Sequence, residues 1–198
     1  MRNTQRFVLS LACGLALTLQ AGASGVPRMS MAEMLSDSKA VVHGVVVDQF
    51  SQWEETDGNK IIFTYSVLRV ENADFMRLAP SRDVVVRTVG GIVDGYQQVL
   101  IDEAQFTVGE EVIVFLGLED DWAYTSVVGF HQGKYTVSRN AAGRMIGLRQ
   151  GTGQQLEPAK AEQQPLIPLT QFVNDLRRAR NGLAQGDLSD VHPLVRVR

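Results

Sequence analysis

The sequence predicts an all-β protein, a small OB-like barrel or sandwich of six to seven strands with a short N-terminal helix and a C-terminal amphipathic helix. Three observations carry this. Short runs rich in Val, Ile, Phe and Tyr recur between polar turns from Ala40 to Ile146, the pattern of a barrel or sandwich. Between them the chain has little helical periodicity. Near its end, Leu169, Phe172, Val173 and Leu176 fall at i, i+3, i+4 and i+7, which is one face of a helix.

Residues 1–23 read as a signal peptide. Arg2 and Arg6 precede the apolar run Phe7 to Leu19, and Ala21-Gly22-Ala23 supplies small residues for cleavage, so the mature chain is expected to start at Ser24. The run is shorter than the ~20 apolar residues that span a bilayer. Export to the periplasm or medium is therefore expected, without stable membrane insertion. Cys13 raises the alternative of a lipid-anchored structural envelope protein. The residues before it, Ser10-Leu11-Ala12, lack the usual leading leucine, and the apolar run continues past it to Leu19. Cleavage after Ala23 discards this single cysteine and leaves no disulfide or thiol chemistry. The chain's 19 basic and 22 acidic residues give −3, and loss of Arg2 and Arg6 takes this to −5. An acidic exported chain is a poor nucleic-acid binder, because such binding relies on a basic face.

The barrel is expected within residues 30–148. Ser30 to Leu35 reads as a helix whose capping box is Ser30 and Glu33, and Met29, Met31 and Met34 are assigned to packing, not copper ligation. Ala40 to Asp48 is a central strand that bends at Gly44. Gln49 to Lys60 reads as a polar connection carrying Trp53 and the turn pair Asp57-Gly58, which joins it to the strand Ile61 to Glu71 as a hairpin. Asn72 to Arg82 is a connection. Val84 to Thr88 is a strand followed by Gly90-Gly91, and Ile92 to Ala104 is a flap or short strand. Phe106 to Glu111 turns into Val112 to Leu116, the strongest central strand. Trp122 to Val128 and Lys134 to Val137 are expected to form a hairpin turning at His131-Gln132-Gly133, with Arg144 to Ile146 as an edge strand. Residues 149–167 read as linker, 168–182 as the amphipathic helix stopped by Gly182, and 183–198 as a tail. The helix either packs on the barrel or docks on a partner.

Several of these elements resemble a family of small, exported, largely uncharacterised bacterial proteins. The matching residues are Val41-Val42-His43-Gly44-Val45-Val46, Thr64-Tyr65-Ser66-Val67, Val85-Val86-Arg87-Thr88-Val89-Gly90-Gly91, Phe106 through Leu116, and Gly133-Lys134-Tyr135. The resemblance covers about Ala40 to Val137. It implies an OB-type or netrin-like barrel, with some members found beside matrixin-type metalloproteases, and it implies no activity. Tissue inhibitors of metalloproteases chelate zinc through an N-terminal cysteine; the expected start here, Ser24-Gly25-Val26-Pro27, does not support that route.

No motif specifies catalysis. His43, His131 and His192 show no ligand spacing, and no G-x-S-x-G elbow is present. Asp102-Glu103, Glu110-Glu111 and Glu119-Asp120-Asp121 read as solvated turn acids. Gly90-Gly91 lacks a phosphate-loop context, and Arg177, Arg178 and Arg180 complement a helix C-terminus. Trp53, Phe63, Tyr65, Tyr96 and Trp122 are core residues or a binding face. The expectation is a non-enzymatic module without cofactor or metal that recognises a protein or peptide partner, such as an exported protease or envelope component. Its binding residues would be Trp53, Gly90, Gly91, Asp94, Tyr96 and Gln97. A hydrolase of unrecognised type is the alternative. N-terminal sequencing of the exported protein is expected to read Ser24-Gly25-Val26; an acylated Cys13 would establish the lipid anchor instead.

Overall fold

A computed structural model describes residues 26–71, 83–118, 124–151 and 165–183 of the protein. The expected signal segment with Cys13, the connection 72–82, Trp122, most of the expected linker and the tail, with His192, lie outside them. The elements are α1 (Met31–Asp37), β1 (Ala40–Thr56), β2 (Asn59–Val70), β3 (Asp83–Val93), β4 (Tyr96–Val99), β5 (Glu111–Leu118), β6 (Thr125–Val127), a 3-10 turn (Phe130–Gly133), β7 (Lys134–Arg139), β8 (Met145–Gln150), β9 (Ile167–Pro168) and α2 (Leu169–Leu183).

Five strands close a barrel in the order β1-β2-β3-β6-β5, with β5 returning to β1. All neighbours are antiparallel except β3 and β6. β1 makes the closure possible. Ala40 to Val45 pair with β5, while Gly44 to Thr56 pair with β2. At Gly44, which pairs on both sides, a Cβ would lie 2.5 Å from the Arg69 carbonyl oxygen. A bulge between Val46 and Asp48 then turns the strand. There the Val46 N–H donates to the Glu110 carbonyl at 2.9 Å, and the Val46 carbonyl accepts from Gly109 at 2.8 Å.

β5 is buried on both faces, which is why it reads as a continuous apolar run. Val112, Val114 and Leu116 point into the barrel with Val42, Val46 and Leu68, plugged by Ala104 and Phe106. Ile113 and Phe115 point outward into a second core with Val41, Met34, Tyr135, Leu148 and Phe172. That outer layer is built by α1, α2, β7 and β8. The Phe172 ring meets the Tyr135 ring edge-on at 4.9 Å, so α2 lays its stripe on the barrel. Ser30 caps α1 through the expected box: Glu33 N–H donates to Ser30 Oγ, and Ser30 N–H donates to Glu33 Oε2 at 2.7 Å. Met29 and Met31 pack beside Met34 in the outer core. Gln132, buried, holds the preceding backbone, accepting from Met29 N–H and donating to the Pro27 carbonyl, both at 2.9 Å. No helix among the described residues is long and apolar enough to cross a membrane.

Five expectations need correction. Nine strands, not six or seven, occur among the described residues. The supposed connection 49–60 is largely strand, because cross-strand pairing runs unbroken to the Asp57-Gly58 turn and outweighs the local polarity. β6 and β7 do not form a hairpin: β6 fills the gap between β5 and β3, and β7 pairs with β5 and β8. α2 runs through Gly182 to Leu183, and β9 lies where composition alone reads as linker.

The turn acid Glu110 is likewise not simply solvated. Lys134, 7% exposed, donates to both its oxygens at 2.7 and 2.8 Å, and Thr136 donates to one of them. Burial lowers the Lys134 pKa, and Glu110 pulls it back up. Lys134→Met strands the carboxylate and is expected to cost ~3–5 kcal/mol in chemical denaturation, with part of the loss recovered in the double variant Lys134→Met/Glu110→Leu.

Candidate functional site

Beyond the bulge, the inward positions of the barrel change from apolar to polar. Gln49 and Ser51 follow Val46 on β1, and Thr64 and Thr88 continue the inward rows of β2 and β3. Their side chains bond to one another and to backbone. Gln49 Nε2 donates to Ser66 Oγ at 3.0 Å and to the Phe106 carbonyl at 3.1 Å. Thr64 Oγ1 donates to the Gly90 carbonyl at 2.6 Å, so the 2.8 Å contact between Ser51 and Thr64 takes its proton from Ser51. Thr88 Oγ1 donates to the Thr64 carbonyl at 3.4 Å.

The glycine pair lies inside β3, not after it. Gly90 and Gly91 have φ of +108° and +136°, conformations that L side chains rarely adopt. A Cβ on Gly91 would sit 2.4 Å from Thr64 Oγ1 and 2.5 Å from Ser51 Oγ; one on Gly90 would sit 2.7 Å from the Gln98 carbonyl oxygen. Here β3 leaves the barrel sheet, reverses at Asp94-Gly95 (φ +51° and +80°) and returns as β4. Positive φ at both central residues is the tight hairpin turn that suits strand twist. Besides the Thr64–Gly90 bond, two contacts tie this hairpin to the β1–β2 ribbon. Ile62 N–H donates to Gln98 Oε1 at 3.0 Å, and the Trp53 and Tyr96 rings meet edge-on at 6.0 Å.

Between the ribbon, the hairpin and the Ala104–Phe106 segment lies an open cleft of about 330 Å³. Its hydroxyls are Ser51, Thr64 and Thr88, and its carboxamides are Gln49, Gln97, Gln98 and Gln105. Ile92 and Val99, on the hairpin, also line it and remain 64% and 57% exposed. Of the residues proposed from sequence, Gly90, Gly91 and Gln97 line the cleft. Trp53 and Tyr96 form the ring pair next to it. Asp94 stands exposed at the hairpin tip and does not line the cleft. The sequence reading missed Gln49, Ser51, Thr64 and Thr88. The available signal was polar residues at period two with Trp53 on β1, hidden by reading that stretch as a loop.

Comparison with family models, curated proteins and solved structures yields no match. The chemistry of the site therefore rests on its own geometry.

The aromatics divide in two. Phe63 and Tyr65 are buried on the opposite face of the ribbon, where Phe50 stacks on Tyr65 at 5.0 Å and Tyr65 hydrogen-bonds Glu54. Arg87 bonds Glu54 at 3.1 Å and lies over the Phe63 ring at 4.6 Å. That cluster is framework.

The structure also joins groups that sequence spacing left apart. His43 Nε2 lies 2.7 Å from Glu111 Oε1, and His43, Glu71 and Glu111 each offer a ligand atom within 4.8 Å of the others. The three come together across neighbouring strands, a proximity linear spacing cannot register. Arg139 already contacts both Glu111 oxygens at 2.5 Å, and its charge opposes a second cation there. Burial pushes the Glu111 carboxyl up, but the bonds from Arg139 and His43 prevail and hold it below the ordinary value. His131 Nδ1 bonds the Asp102 carbonyl oxygen at 2.9 Å. Neither histidine lines the cleft.

Glu103, also expected to be solvated, is 7% exposed behind the cleft. Burial raises its pKa, countered by N–H donation from Val89 and Ala104. The folded state thus holds this proton more tightly than the unfolded chain does. The stabilisation is complete below the unfolded value, near 4.5, and is lost as pH rises through the folded value. Glu103→Gln is expected to raise Tm relative to the parent at neutral pH and to lose that advantage in acid. A Tm series across pH checks this, and a gain confined to acid would show that the two backbone bonds outweigh burial.

Proposed function

We propose that the protein is an exported, non-enzymatic binding module that recognises a protein or peptide partner through the β3–β4 hairpin. The observation that carries this reading is the exposed apolar surface on a clamped hairpin. Ile92, Tyr96 and Val99 on the hairpin, and Ile101 just after it, are each more than half exposed, although glycine packing and the Gln98 bond hold the hairpin in place. Apolar side chains gathered on a fixed surface gain free energy when a partner removes them from water.

The backbone adds to this. Among the described residues β4 pairs with β3 alone, so its other edge offers N–H and C=O groups to an incoming strand. Main-chain bonding would supply affinity, and the flanking apolar side chains would supply selectivity. The partner is expected in the compartment to which the signal segment directs the chain, with exported proteases and envelope components the first classes to test.

The test is affinity capture from periplasmic and secreted fractions on the immobilised mature protein, with Ile92→Lys/Ile101→Lys as the control. The parent is expected to enrich a discrete partner that the double variant loses by at least tenfold. Equal capture by a folded variant, or no enrichment by the parent, would overturn the proposal.

A further inference from the structure

The chemistry of the cleft points to a ligand beyond the protein partner. None of its lining residues among those described is ionisable: the polar ones are hydroxyls and carboxamides, and the rest are glycine, alanine, valine, isoleucine or phenylalanine. An anion or a cation placed here would give up water with no counter-charge among the described lining residues, which is costly. Each lining hydroxyl and carboxamide can both donate and accept. The complementary ligand is itself neutral and carries closely spaced groups that both donate and accept.

Two of these side chains are uncommitted. Gln97 and Gln105 form no side-chain hydrogen bond with the described residues, whereas Gln49, Ser51, Thr64 and Thr88 are fixed by their bonds. The cleft therefore has a pre-organised polar wall, which limits the entropy lost on binding, and two amides with hydrogen-bonding capacity to spare for a ligand. Apolar surface is available beside the polar wall. Ile92 and Val99 rise at the rim, and Trp53, which shares the β1 strand face of Gln49 and Ser51, presents a ring next to Tyr96. A pyranose matches both kinds of surface, with hydroxyls at its edge and C–H bonds on its face. The volume, about 330 Å³, lies at the small end of ligand sites and suits one or two sugar rings.

We infer that the cleft between the β1–β2 ribbon and the β3–β4 hairpin binds a neutral sugar unit. This rests on the polar wall of the cleft and does not depend on the protein partner, although Ile92 and Val99 belong to both surfaces. The same ring chemistry is presented by a free sugar and by a glycan chain, and a disaccharide arm separates them.

The experiment is an NMR titration of the 15N-labelled mature chain with three related rings: neutral N-acetylglucosamine, cationic glucosamine and anionic glucuronate. The β-1,4-linked disaccharide of N-acetylglucosamine forms a fourth arm. The neutral ring is expected to give saturable shifts in the side-chain amides of Gln97 and Gln105 and the backbone amides of Gly90 and Gly91. Both charged rings should bind at least tenfold more weakly. Tighter binding of the disaccharide would identify a glycan as the source, and equal binding a free sugar. Gln97→Ala and Gln105→Ala are each expected to weaken binding about fivefold, the loss of one neutral hydrogen bond. The dispersed spectrum of each variant shows that it is folded. Absence of saturable shifts at the solubility limit, equal binding of the charged rings, or tighter binding of a blocked neutral tripeptide at the same amides would overturn the inference.

Discussion

Everything in this molecule depends on one strand pairing with two neighbours at once. β1 meets β5 with its first half and β2 with its second, and the two pairings overlap at Gly44 and Val45. A strand can serve both sheets only if it bends sharply, and the approach of the Arg69 carbonyl leaves no room for a side chain at Gly44. The bulge after Val46 completes the bend. Together they let five strands close on an apolar interior and leave β1 and β2 running on past the barrel as a ribbon.

The same geometry determines the placement of the charged groups. Because β5 is covered on both faces, the acids at its start enter a protein environment and not solvent. Glu110 is matched by Lys134 and Thr136, and Glu111 by His43 and Arg139. Each acid has a partner drawn from β1 or β7, the strands that pair with β5. These networks fix the register where β5 begins. They are best understood as the means by which a doubly buried strand tolerates acidic residues at its entrance.

Much of the fold was legible because periodicity and turn chemistry act locally. The capping box at Ser30, the Asp57-Gly58 hairpin, the bend at Gly44 and the apolar run of β5 each follow from a few adjacent residues. What was not legible depends on distant pairing. The sequence Gln49-Phe50-Ser51-Gln52-Trp53 is too polar to read as strand, yet register with β2 makes it one, and this concealed half of the cleft. Gly90-Gly91 was recognised as a conformational special point but placed at a strand end. Its role inside β3, pressed against Ser51 and Thr64, appears only when β1 and β2 are in place. Glu103 looked like a turn acid because nothing local indicates that it turns inward. Of the candidate residues, Gly90, Gly91 and Gln97 were found through glycine and loop arguments, while the hydroxyl wall opposite them required three strands to be aligned first.

The order of the strands along the chain also bears on how quickly the protein matures. Closing the barrel requires Ala40 to Val45 to find Glu111 to Leu116, and β3 to find the far downstream β6 in a parallel pairing. Contacts so distant in sequence are formed only after the entropy of a long loop has been lost, and chains dominated by them fold in milliseconds to seconds, not microseconds. During that interval β5 presents two apolar faces and two unpaired edges. A newly made chain is thus most exposed to self-association through its most hydrophobic strand.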